Sequence, residues 1–117
     1  MSDVPCVVVS GARGLPGSML MRVLPDAGFR AIPLTCDNRD AAAVTKQITQ
    51  AAPADVVHAA AMTCVAVCMR QPQEAFAVNG EGTKNVVEAA RAAGAPILYI
   101  IFRRPRCSEA TVAMPRF

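Results

Sequence analysis

The chain is 117 residues long, 53% hydrophobic and 18% charged, so it holds one packed core, not two, and is not an intrinsically disordered segment. Aromatic residues make up only 4% and Ala and Val dominate, which suits thin α/β layers better than an aromatic-rich β-sandwich. The net charge of +3 is spread along the chain apart from Arg103, Arg104 and Arg106, too little for a nucleic-acid surface, and no apolar run approaches the ~20 residues that span a bilayer.

Val4–Ser10 (VPCVVVS) is a β-branched run ending in glycines, the pattern of a strand buried on both faces. Leu15–Ala27 follows with Leu15, Met19, Leu20, Val23 and Leu24 at helical spacing. Pro16 is tolerated in its first turn, Pro25 is expected to end or fray its last, and Gly28 closes it. Phe29–Thr35 reads as a second strand, confined by Pro33 to an edge or a strand end. Asp40 is the expected N-cap of a helix through Ala51, with Val44 and Ile48 facing the core. Pro53, Ala54 and Asp55 make a turn into a third buried strand, Val56–Ala61. A short helix is expected around Val65–Met69, then a long one from Pro72 to Ala93 with Phe76, Val78, Val86, Val87, Ala90 and Ala93 inward and Gly94 as its stop. Ile97–Phe102 is the fourth strand. Residues 1–102 thus form one domain, and 103–117 an irregular basic and apolar tail.

Strands alternating with helices through short connections imply a Rossmann-like, doubly wound parallel sheet, here truncated to about four strands, with helices on both faces. The chain does not open with a charged region followed by an apolar one, so a cytoplasmic location is expected. Its five cysteines do not form a metal site: Cys64 and Cys68 are four apart, but no second Cys/His pair follows. They read as reduced thiols packed as small hydrophobes.

Ser10-Gly11-Ala12-Arg13-Gly14-Leu15-Pro16-Gly17 carries chemistry. Its G-x-x-G-x-x-G spacing lies directly after a strand and opens a helix. Gly11 permits a tight turn, Gly14 lets backbone N–H groups approach a pyrophosphate, and Gly17 lets helix pack closely on sheet. The helix N-terminus adds N–H donors and partial positive charge.

With the block Asp55–Ala61 (DVVHAAA) and the segment Ala77–Asn85 (AVNGEGTKN), this glycine motif resembles the extended short-chain dehydrogenase/reductases of the NAD-dependent epimerase/dehydratase type, most nearly the dTDP-4-dehydrorhamnose reductase branch, over roughly residues 4–101. The resemblance implies a sugar-nucleotide reductase or epimerase-like protein with an NAD(P) cofactor. It puts the pyrophosphate against Gly11, Ala12, Arg13, Gly14, Leu15 and Gly17, the ribose against Ala59, Ala60 and Ala61, and the substrate side at Thr63. Asp37, with Asn38 beside it, is the candidate for the adenosine ribose or adenine edge. Arg13 and Arg39 could pair with a 2′-phosphate, which slightly favours NADP.

Departures from the family are as informative. Ile101 stands where relatives carry a catalytic Ser or Thr, and Ala66 and Met69 stand where acidic residues are usual. The family's Tyr-x-x-x-Lys pair has no equivalent: Tyr99 is the only tyrosine, with Arg103 four residues on. On a helix such residues would be roughly 5–6 Å apart, but on a strand they are about 13 Å apart. Tyr99 therefore reads as a core residue, and no catalytic residue is assigned. Three functions remain open: a cofactor-binding part without catalysis of its own, a non-catalytic regulatory or scaffolding subunit like that of methionine adenosyltransferase, or one half of a reductase assembled from two chains. In each case the exposed last strand would serve self-association or a protein partner.

Overall fold

The computed structural model describes residues 4–60 and 69–100. Expectations for Ala61, Thr63, most of the 65–69 helix, the 101–102 strand end and the tail lie outside these residues. Four parallel strands form one sheet: β1 (Cys6–Ser10), β2 (Arg30–Pro33), β3 (Asp55–His58) and β4 (Ile97–Tyr99), in the order β2-β1-β3-β4. Val8 pairs with Ile32 on one side and Val56 on the other.

This order dictates where the helices lie. From β1 the chain steps one way to β2, then crosses back over β1 to reach β3. Right-handed crossovers therefore place helix α1 (Leu15–Asp26) on one face and helix α2 (Ala41–Ala51) on the other. The step from β3 to β4 continues in the second direction, so helix α4 (Gly82–Ala92) joins α2. The core divides accordingly, because successive strand residues point to opposite faces. Val8 and Val56 pack with Val44, Ile48, Val86, Ala89 and Ala90, whereas Val7, Val9 and Val57 pack with Leu20, Met21 and Leu24 of α1.

Local chemistry explains the element ends. The Asp40 carboxylate accepts the Ala43 N–H at 3.2 Å and caps α2, and Val44 and Ile48 are fully buried. Helix α1 runs one residue past Pro25, to Asp26. Strand β2 stops at Pro33, on the sheet's edge, shorter than the Phe29–Thr35 expected. The buried Cys6 thiol donates to the Ala51 carbonyl at 3.3 Å.

The apolar residues of α1 divide between two faces, and the expectation for the 72–93 helix is corrected. On α1, Leu20 and Leu24 do turn toward the sheet with Met21, above the buried Gly17, but Leu15, Met19 and Val23 form a separate i, i+4, i+8 stripe that is exposed. The long helix expected over 72–93 is interrupted. Helix α3 (Pro72–Phe76) passes into a π-helical turn (Ala77–Glu81) before α4 begins. The wider turn changes the rotational phase, so Ala75 is buried while Phe76 is exposed and its ring lies over Gly80.

Candidate functional site

Chain reversal between β1 and β3 leaves a crevice at the carboxyl ends of these two strands, where open α/β sheets bind ligands. A cleft of about 360 Å³ opens there. Its walls are the glycine turn at Gly11, Ala12 and Arg13, the stretch from Pro33 to Asn38 after β2, Ala60, and Val78 of the π-helical turn.

The three motif glycines have different reasons to be glycine. Gly11 sits at φ +70°, and a Cβ there would lie 2.6 Å from the Ala60 nitrogen. A Cβ on Gly17 would run into the Gly11 carbonyl. Gly14 has an ordinary φ of −73°, and its Cβ would meet no protein atom closer than the Gly11 oxygen at 3.4 Å. Packing thus demands the first and third glycines and leaves space at the second. Gly14 is also the N-cap of α1 and offers no side-chain oxygen to the first-turn N–H groups.

Asp37 stands at the cleft mouth, half-exposed, in a bidentate pair with Arg39 (Nη2 at 2.6 Å, Nε at 3.0 and 3.1 Å). Hydrogen bonding from the Arg39 side chain holds its carboxyl down at about 2. Arg39 also reaches Glu74 of α3 at 3.7 Å, an exposed and weakly coupled contact. Asn38 is buried and turned inward: its amide donates to the Val78 carbonyl at 3.4 Å, and its side chain fills the place a Cβ on Gly82 would take. Asn85 donates to the Asn38 carbonyl at 2.9 Å. Burial pushes the Cys36 thiol up, helped by the nearby carboxylates of Asp40 and Asp37.

Beneath the cleft runs a chain of side chains that motif reading did not single out. Ser10 Oγ accepts the Ala59 and Ala60 N–H groups at 3.0 and 3.2 Å and lies 2.6 Å from His58 Nδ1. His58 Nε2 lies 2.9 Å from Thr83 Oγ1, and the Thr83 hydroxyl donates to the Asn79 carbonyl at 2.7 Å. Burial holds His58 down at about 4. Tyr99, expected in the core, is 42% exposed and stacks on the His58 ring, centroids 5.2 Å apart. Strand β4 is an edge strand with nothing described covering its outer residues.

Of the expected site residues, Gly11, Ala12, Arg13, Asp37, Asn38 and Ala60 line the cleft. Gly14 and Leu15 begin α1 beside it, Gly17 lies under the turn, and Ala59 is bonded to Ser10. Ala61 and Thr63 fall outside the described residues. Ser10, His58, Thr83 and Val78 were missed. The sequence signal was faint: Ser10 and His58 each end a strand, but only the β1–β3 pairing makes them neighbours.

The family model described as the RmlD substrate binding domain matches residues 6–101. The chain belongs to that family. Curated members of similar sequence include a dTDP-4-dehydrorhamnose reductase of Streptomyces griseus, 37% identical over 99 residues, covering 82% of this chain and 33% of the relative. Among solved structures, a dTDP-4-dehydrorhamnose reductase ortholog of Clostridium acetobutylicum superposes with a TM-score of 0.73 at 30% identity, covering 79% of this chain and 34% of that one. A Thermus thermophilus UDP-glucose 4-epimerase, solved with NAD, gives 0.71 at 27% identity over 76% and 34%. The chain thus spans about a third of the RmlD-family relatives it matches. Among the described residues no helix is long and apolar enough to cross a membrane.

Proposed function

We propose that this chain is the NAD(P)-binding part of a sugar-nucleotide reductase or epimerase-like protein of the cytoplasm and performs no hydride transfer by itself. The observation that carries this reading is the free space at Gly14. A Cβ on Gly14, at the start of α1, would make only an ordinary contact with the Gly11 oxygen at 3.4 Å, whereas protein atoms close the turn at Gly11 and Gly17; the start of α1 is where a pyrophosphate would meet backbone N–H groups. The cleft volume falls in the range of small-molecule sites. The similar proteins are named as nucleotide-sugar enzymes, and one of them was solved with NAD.

When bound, the cofactor would supply a hydride for a sugar carbonyl. In this reading Gly11, Ala12, Gly14 and Leu15 present backbone to the pyrophosphate, Asp37 accepts from the adenosine ribose, and Ala59, Ala60 and Ala61 flank the other ribose near Thr63. Arg13 and Arg39 are the cations available to a 2′-phosphate, but Arg39 would first have to leave Asp37. The preference for NADPH over NADH should therefore stay within about tenfold. Lack of catalysis follows from Ile101 in place of a hydroxyl and from Tyr99, which lies against His58 and does not line the cleft.

Fluorescence titration of the purified chain with NADPH, and separately with NADH, tests the proposal. Saturable binding that Gly14→Val weakens is expected, since its side chain fills the phosphate's approach. A folded parent that binds neither cofactor would overturn it. A second reading, a regulatory or scaffolding subunit, is favoured by Leu98 and Tyr99, exposed on edge strand β4 at 61% and 42%. A defined oligomer on size-exclusion chromatography would support it, and a monomer would count against it.

A further inference from the structure

The hydrogen bonds beneath the cleft leave only one arrangement of protons. Ser10 Oγ accepts the Ala60 N–H and the Ala59 N–H, the latter shared with the Ser10 carbonyl at 3.2 Å, so its single proton faces His58 Nδ1. The Thr83 hydroxyl donates its proton to the Asn79 carbonyl, so it must accept from His58 Nε2. His58 is therefore the neutral Nε2–H tautomer, accepting on one side and donating on the other. Both ring nitrogens are occupied, which leaves neither free to take a proton from a substrate or to bind a metal. Its lowered proton affinity agrees with this state.

Both ends of the chain of bonds terminate in the walls of the cleft. Ser10 lines it and ties down Ala60, the residue that closes the floor under Gly11. Thr83 holds the Asn79 carbonyl in the π-helical turn, next to Val78, which forms the opposite wall and is itself held by Asn38. Two successive carbonyls of the π turn, those of Val78 and Asn79, each accept a hydrogen bond from a side chain outside it. The imidazole is a rigid spacer between these groups, with the Tyr99 ring against its face.

We propose that His58 is a positioning residue that sets the separation of the two cleft walls, the glycine turn through Ser10 and the π-helical turn through Thr83, and so tunes dinucleotide affinity without touching the ligand. This rests on the cofactor reading above. Thr83 does not line the cleft, so Thr83→Val, which keeps the shape and removes the hydroxyl, is the cleanest probe. The expected result is NADPH binding about three- to tenfold weaker in Thr83→Val, with Thr83→Ser restoring parent affinity. Among the described residues the hydrogen bonds that link Ser10 to Thr83 run through His58, so Ser10→Ala and Thr83→Val should be non-additive in NADPH affinity. Nitrogen-15 NMR of the parent should report the Nε2–H tautomer, and Thr83→Val should loosen that preference. All affinities are to be taken well below each variant's melting temperature, so a loss of stability alone would not move them. If Thr83→Val and His58→Gln lose stability but bind NADPH within twofold of the parent, or if the cycle is additive, the residue is merely structural and the proposal falls alone. A folded parent that binds no NADPH brings down the cofactor reading and this inference together.

Discussion

Glycines of the first turn separate packing from ligand binding, one residue at a time. Gly11→Ala must hold an L-residue at φ +70° with its methyl against Ala60, and should cost about 3 kcal/mol or more. Gly17→Ala meets the Gly11 carbonyl and should cost a similar amount. Gly14→Ala makes only an ordinary contact with the Gly11 oxygen at 3.4 Å, so thermal denaturation should show little change while NADPH titration shows weakened binding. His58 makes a second prediction. Its folded pKa, about 4, lies below the unfolded value near 6.5, so between these values the unfolded chain binds more protons and stability rises with pH. The contribution is fully present above about pH 6.5 and is lost as pH falls toward 4. Melting temperatures measured from pH 7.5 to 4.5 should fall more steeply for the parent than for His58→Gln. The ion-paired Asp37 adds a separate loss only at more acid pH, as it protonates between 3.8 and about 2.

At the scale of elements, Val44 and Ile48 bury α2 against the sheet, and the Asp40 cap closes its first turn. Ile48→Ala empties a fully buried site and should cost about 2–5 kcal/mol, a large part of a small domain's stability. Asp40→Ala removes only the bond to the Ala43 N–H and should cost about 1 kcal/mol. Chemical denaturation of the two variants should rank them in that order. These two roles were legible in the sequence because cap chemistry and apolar period are local. Interruption of the 72–93 helix was not: Val-Asn-Gly-Glu-Gly carries two glycines but no proline, and the side-chain bonds that the turn's carbonyls accept from Asn38 and Thr83 are visible only in the assembled fold. The inward face of α1 was half legible, since two apolar stripes coexist on it and only docking to the sheet chooses between them.

At the scale of the whole sheet, β4 is the outermost strand on its side among the described residues, with Leu98 and Tyr99 exposed, a strand edge of the kind that pairs with other strands. Self-association through this edge should respond to charge: Leu98→Lys is expected to shift sedimentation toward monomer at equal protein concentration. An unchanged distribution would place any association elsewhere. The exposed Leu15–Met19–Val23 stripe on α1 provides the control surface, on the opposite side of the chain's topology from α2 and α4.

By itself the sequence determined the alternation of strands and helices, the parallel doubly wound class and the glycine turn that opens α1. Each depends on a local period or on the backbone freedom of a residue at a known spacing. Only the tertiary structure decided which residues form the floor and far wall of the cleft. Ser10, His58 and Thr83 are 48 and 25 residues apart along the chain, and they meet because β3 crosses back to lie beside β1 and α4 packs over it. Their hydrogen bonds are worth forming only where water is excluded, and burial of that kind is a property of the assembled sheet, not of any one segment.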